Sequence, residues 1–205
     1  MRFFRQTVAV LALLCATWAH AEGGSGYTLL NPPQPTTSGK KVEVLEFFFY
    51  GCPHCYHLHP LLTEWEKKKP KDVELQYVPT IFNASWEPMA YTFYALEALG
   101  QRQQLHNALF EAWNVQNIDL SDEGKIADFL ARHGVDPAKF GAAYNSFSVQ
   151  SKVVRSNQMV QSFAIRGTPT IAVDGKYIIT GLQPADTIRV LDEVIKIARA
   201  ERNRH

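Results

Sequence analysis

The 205-residue chain carries 21 basic and 20 acidic side chains, a net charge of +1 with histidine neutral, and is 46% hydrophobic. So even a balance offers no basic surface for nucleic acid; the one basic run, Lys67-Lys68-Lys69-Pro70-Lys71, falls where a helix should end and reads as a solvated terminus favoured by the macrodipole. Three cysteines are too few for a stapled disulfide framework.

Arg2 and Arg5, an apolar stretch from Val8 to Ala16, and Ala19-His20-Ala21 make a secretory signal peptide over residues 1–21. Its apolar core is too short for a membrane span, and no later stretch approaches the roughly 20 apolar residues a span requires. The exported chain is therefore expected to be soluble rather than embedded in a membrane. Cys15 should leave with the signal, because Leu14 is a poor fit to the small residue that lipoprotein processing needs. Residues 22–205 then keep only Cys52 and Cys55.

Residues 22–41, rich in Gly, Ser, Thr and Pro, form an extended lead-in, in which 27–30 is expected to add a short strand. Val42 to Tyr50 is apolar except for Glu43 and Glu46 and predicts a central strand covered on both faces. Cys52 to about Lys69 predicts a helix and Val73 to Val78 a second strand, together a βαβ unit with a right-handed crossover. From Ser85 to about Phe163 strand signals vanish. Ser85 with Glu87 and Pro88, Ser121-Asp122-Glu123 and Asp136-Pro137 open helices there. Tyr91, Tyr94, Ala95 and Ala98, and then Leu105, Leu109 and Trp113, recur at helical spacing as core positions. Thr170–Val173, Asp174-Gly175 and Tyr177–Thr180 predict a hairpin. A last amphipathic helix runs from about Pro184 to Arg199, with Ile188, Leu191, Ile195 and Ala198 on one face. The segments are thus 42–84, a helical insertion over 85–163, and 164–205.

The chemistry concentrates in Cys52-Pro53-His54-Cys55, directly behind the first long strand. Two thiols at i and i+3 share a helix face, and the first lies where unpaired N–H groups and the helix dipole favour a thiolate. Cys52 reads as N-cap and Pro53 as N1, where proline wastes no N–H. Glu46, a carboxylate in an apolar strand six residues earlier, should be buried near this helix with a raised pKa. His57 and His59 open another class, an exported copper or zinc binding protein. Geometry opposes it, since Cys52, Cys55 and His59 share a face that His54 and His57 do not. A c-type haem site fails because Tyr56 stands where histidine is required.

The βαβ unit with Cys-x-x-Cys at its turn, the Pro53-His54 dipeptide, the helical insertion and Gly167-Thr168-Pro169 ahead of the hairpin resemble the DsbA version of the thioredoxin fold. Val44-Leu45-Glu46-Phe47-Phe48 and Cys52 to Tyr56 carry the closest likeness, which extends over residues 27–200. It implies an α/β thioredoxin-like fold, a mixed central sheet with flanking helices and an inserted helical subdomain. It implies a periplasmic thiol:disulfide oxidase needing no cofactor or metal, monomeric, acting on reduced unfolded exported proteins and reoxidised by a DsbB-type membrane quinone reductase. Cys52 would be the nucleophile and Cys55 the resolving thiol; His54 would help hold the thiolate through its N–H and its ring. Glu46 would move protons for the buried thiol. Thr168-Pro169 would be a cis-proline loop offering the Thr168 backbone to an extended substrate. Threonine stands where many family members have valine. Isomerase or reductase activity is the runner-up, although the lead-in is too short for the dimerisation domain of DsbC-type isomerases. Peptide binding without redox chemistry is a third reading.

Overall fold

A computed structural model describes residues 26–204; the expected signal peptide, with Cys15, lies outside the described residues. In chain order, β1 is Thr28–Leu29, β2 Val42–Phe48, α1 Pro53–Lys68 and β3 Val73–Pro79. A helical block follows: α2 Glu87–Ala98, α3 Arg102–Asn114, α4 Glu123–Arg132, α5 Pro137–Tyr144 and α6 Phe147–Ser162. The chain returns through β4 Thr170–Val173, β5 Tyr177–Thr180 and α7 Pro184–Arg202. The sheet order is β1-β5-β4-β2-β3, with β2 parallel to β3 and antiparallel to β4.

Strand β2 is buried throughout, as its apolar run requires. Because side chains alternate, Val42, Val44 and Phe48 face the large core with Leu58 and Leu62 of α1 and Leu191 and Val194 of α7. Leu45 and Phe47 face a smaller core with Val160, Phe163 and Ile165. Glu46 has the parity of Val44 and so lies on the face that α1 covers. Truncating Leu62 to alanine in this packing would cost about 2–5 kcal/mol.

The strand ends at Phe48, two residues before the predicted Tyr50, because the next carbonyls are claimed elsewhere. Cys52 N–H donates to the Phe49 carbonyl at 3.1 Å and Asn114 Nδ2 to the Tyr50 carbonyl at 2.7 Å, drawing the chain out of the sheet. In α1, Cys55, Leu58, His59, Leu62 and Trp65 form the buried stripe. Trp65 Nε1 donates to Asp192 at 2.8 Å, tying α1 to α7.

The helical block starts differently from the sequence expectation. Asn83, not Ser85, supplies the capping oxygen, accepting from Ser85 N–H, and a short 3₁₀ turn at Ala84–Trp86 precedes α2. Asp122 and Asp136 cap α4 and α5 as expected. Ala98 is exposed and Tyr91 half-buried, because the buried stripe of α2 runs through Met89, Ala90, Phe93 and Leu96. No separate signal in the sequence marks α6, whose Ser146 cap accepts from Val149 N–H at 3.3 Å and whose buried face is Val149, Val153, Ser156 and Val160. In the hairpin turn Asp174 and Gly175 both have positive φ; a Cβ on Gly175 would also collide with the Gln34 carbonyl oxygen.

Candidate active site

The two sulfurs are placed by the junction of β2 and α1. Gly51 is required there, since a Cβ would come within 2.5 Å of the Phe49 ring and 2.7 Å of Trp113. Cys52 is the N-cap of α1 with extended backbone angles and Pro53 occupies the first turn. Both cysteines are free thiols, Cys52 half-buried and Cys55 at 0% exposure.

Their environments separate them. The Cys52 thiol is lowered to about 5: the hydrogen bond with the Cys55 side chain is the largest cause, and partial burial opposes it. A side-chain hydrogen bond from Thr168 and the backbone N–H groups of Cys55 and His54 add to the lowering. Cys55 is pushed well above the ordinary thiol value by burial first, then by its hydrogen bond with Cys52 and by the charges of Glu46 and Cys52. His54 acts on the sulfur through its backbone N–H, and its ring is exposed.

Glu46 is 1% exposed, and its Oε1 is buried without a hydrogen-bond partner. Burial, then the charges of Glu66 and Cys52, raise it to about 8. Glu43, three residues earlier and of opposite parity, shows that this is not a property of the strand: its Oε2 accepts from Thr37 N–H and Oγ1, both at 2.8 Å, and from Ser38 Oγ at 3.1 Å. One buried carboxylate is satisfied by the lead-in. The other keeps a buried oxygen, Oε1, without a hydrogen-bond partner.

Thr168 and Pro169 come to the same place from the far end of the chain. The Thr168–Pro169 peptide is cis, and the Cys52 thiol donates to the Thr168 carbonyl at 3.2 Å. Thr170 Oγ1 donates to the Gly167 carbonyl at 2.8 Å, fixing the loop. A cavity of about 300 Å³ beside it is lined by His54, His57, Thr168, Pro169, Ile179 and Leu182, among others.

All seven residues singled out from the sequence, Glu46, Cys52, Pro53, His54, Cys55, Thr168 and Pro169, therefore converge on one end of the sheet. The three histidines of the metal reading do not gather into one cluster: His54 and His57 are exposed, while His59 is buried against the Phe110 ring and lowered to about 4 by that burial. Among the described residues no group of three or more His, Cys, Asp or Glu could hold a metal ion. Sequence reasoning missed the polar layer beneath the thiols. There the Tyr50 hydroxyl is hydrogen-bonded to His106 Nδ1 at 2.7 Å, and the Tyr77 hydroxyl donates to Glu66 Oε2 at 2.9 Å. The usable signal was Tyr77 in the strand beside Glu46.

A family model described as the DSBA-like thioredoxin domain matches residues 43–191. The thiol:disulfide interchange protein DsbA of Bordetella parapertussis is 38% identical over 204 residues, 96% of this chain and 97% of that one. The protein of the same name from Pseudomonas aeruginosa is 36% identical over 180 residues, 86% of this chain and 85% of its own. Its crystal structure is similar with a TM-score of 0.83, at 35% identity, over 87% of this chain and 94% of that one. Oxidoreductase DsbA from Xylella fastidiosa gives 0.80 at 32% identity, over 85% and 95%.

Proposed function

The chain belongs to the DSBA-like thioredoxin family and is a thiol:disulfide oxidoreductase with a thioredoxin-like fold, and from that premise we propose that it is a periplasmic, monomeric disulfide oxidase. Its Cys52–Cys55 disulfide is donated to reduced, unfolded exported proteins. A substrate thiolate attacks Cys52 Sγ, the Cys52–Cys55 bond breaks, and a mixed disulfide forms as Cys55 leaves. A second substrate thiolate then attacks the substrate sulfur and releases Cys52 as a thiolate. Two substrate thiols are oxidised and one enzyme disulfide reduced, and a DsbB-type membrane quinone reductase restores it.

The observation that carries this reading is the contrast between the sulfurs. A half-buried Cys52 lowered to about 5 is a good leaving group, so its disulfide gives itself up readily; a reductase would need the opposite poise. The Thr168–Pro169 loop supports the substrate side: proline withholds an N–H while the Thr168 backbone lies against Cys52, as pairing with an extended chain requires. Among the described residues no helix is long and apolar enough to cross a membrane.

The test is the equilibrium of the pair against glutathione together with oxidation of a reduced peptide. An oxidising constant and stoichiometric transfer are expected; a thioredoxin-like reducing constant would overturn the oxidase.

A further inference from the structure

When Cys52 is attacked, Cys55 leaves as a thiolate at a position closed to water, where burial disfavours the charge. A proton has to reach it, and on reoxidation that proton has to leave again. Glu46 is almost as enclosed, so it needs a connection to solvent of its own.

Tyr77 and Glu66 lie in that direction. The parallel register pairs Glu46 with Tyr77, so the two side chains leave neighbouring strands on the same face, under α1. The Tyr77 hydroxyl donates to Glu66 Oε2 at 2.9 Å, and the Arg102 guanidinium sits 5.0 Å from the centre of the Tyr77 ring. Glu66 is half-buried and therefore reaches water. Its charge acts on Glu46, whose buried Oε1 has no hydrogen-bond partner and is free to take a proton.

We propose that Glu66, oriented by the Tyr77 hydroxyl, is the outer carboxylate of a two-step relay that passes protons between solvent and Glu46 while Glu46 exchanges them with Cys55. This rests on the oxidase reading. As the substrate thiolate displaces Cys55 from Cys52, Cys55 takes the Glu46 proton, and Glu46 becomes a carboxylate refilled through Glu66 from water. Reoxidation runs the same transfers backwards.

The other ionisable groups of this layer do not offer a second route. Cys52, the N-cap of α1, is bonded to the substrate sulfur while the proton moves and takes none. Tyr50, just beyond the end of β2, is hydrogen-bonded to His106 of α3 and raised by burial. Burial lowers both His106 and His59 of α1, which keeps them neutral. Arg102 carries a permanent charge.

The test compares Glu66→Gln, Tyr77→Phe, Glu46→Gln and the Glu46→Gln/Glu66→Gln double variant. Glu46 is titrated by carboxyl-carbon NMR in the reduced protein, and the oxidised protein is mixed with a reduced peptide in stopped flow across pH. Glu66→Gln removes a neighbouring negative charge, so the Glu46 midpoint should fall and the rate profile should move with it, with a several-fold slower transfer. Tyr77→Phe should change the rate in the same direction. In the Glu46→Gln background Glu66→Gln should add nothing. An unmoved midpoint and rate, or an equal loss in both backgrounds, overturns the relay. A wild-type chain that leaves the peptide reduced overturns the oxidase reading, and the Glu46 titration, which needs no turnover, still decides whether Glu66 governs that proton.

Discussion

Cys52 and Thr168, 116 residues apart in the chain, meet at 3.2 Å, sulfur against backbone carbonyl. The contact brings the start of α1 to the loop before β4, and it has two parts. The carbonyl accepts a hydrogen bond from the thiol when Cys52 is neutral, and the Thr168 side chain supports the sulfur when it is ionised. Only the second depends on residue type.

Thr168→Val should therefore raise the Cys52 pKa and make the disulfide less oxidising, while the fold and the carbonyl contact survive, because the swap nearly preserves shape. Ultraviolet thiolate absorbance against pH and the glutathione equilibrium measure both effects. Identical values in the two proteins would remove the Thr168 hydroxyl from the site.

Cys52→Ser should abolish oxidation of a reduced peptide, since Cys55 at 0% exposure cannot meet a substrate. Given a peptide disulfide, Cys55→Ser should instead accumulate mixed disulfides on Cys52, which forms one by displacing a peptide thiolate and has no resolving sulfur to break it. Non-reducing gels and peptide mapping of the adducts decide the assignment, and adducts found on Cys55 in the Cys52→Ser protein would reverse it.

The parts of this molecule that were legible in the sequence are those governed by local chemistry. The Cys52-Pro53 start of α1, the Asp122 and Asp136 caps and the Asp174-Gly175 turn each follow from one or two residues, and each stands where it was expected. Burial of Glu46 was readable because an apolar strand surrounds it. What the strand pattern could not say is that Glu43 finds three donors while Glu46 Oε1 finds none, because Thr37 and Ser38 reach only one face of β2. Helix α6 stayed hidden for a similar reason. Its buried face is three valines and a serine, and Ser156 is a core residue only because the Tyr94 hydroxyl lies 2.6 Å away.

Glu46→Gln should change stability in a pH-dependent way. The folded carboxyl is raised from 4.5 to about 8, chiefly by burial and then by the Glu66 and Cys52 charges. Below 4.5 the acid is protonated in both folded and unfolded chains and costs nothing through ionisation. As pH rises from there through about 8 the unfolded chain gains a charge that the folded chain resists, at about 1.4 kcal/mol for each pH unit separating the two midpoints. The variant should accordingly be more stable than wild type by several kcal/mol in mildly alkaline solution and nearly equal to it in acid. Urea denaturation at the two extremes checks this, and a variant advantage that is larger in acid would contradict the buried carboxyl.

The two oxidation states should differ in stability in a way set by Cys52. Its folded thiol titrates at about 5 against 9.0 for a free one, chiefly because of the Cys55 side-chain hydrogen bond. Its ionisation therefore stabilises the reduced fold fully above 9.0, and the contribution declines as pH falls towards 5, below which it is gone. Cys55 acts oppositely but only above the ordinary thiol value, where the unfolded chain ionises it and the fold does not. Glu46 costs stability in both oxidation states, apart from the share due to the Cys52 charge. A disulfide that spans only two intervening residues restricts the unfolded chain little, so it offers weak compensation. Solvent screening at a half-exposed sulfur cuts the full linkage energy of about 1.4 kcal/mol per pH unit, leaving a Cys52 contribution to the reduced form of roughly 1–2 kcal/mol at neutral pH. Urea denaturation of both forms at about pH 7 and about pH 5 measures the gap, because these two conditions span the decline of the Cys52 contribution. It should shrink on acidification; a reduced form that is the less stable at neutral pH, or a gap that widens in acid, would mean that Cys52 is not held as a thiolate.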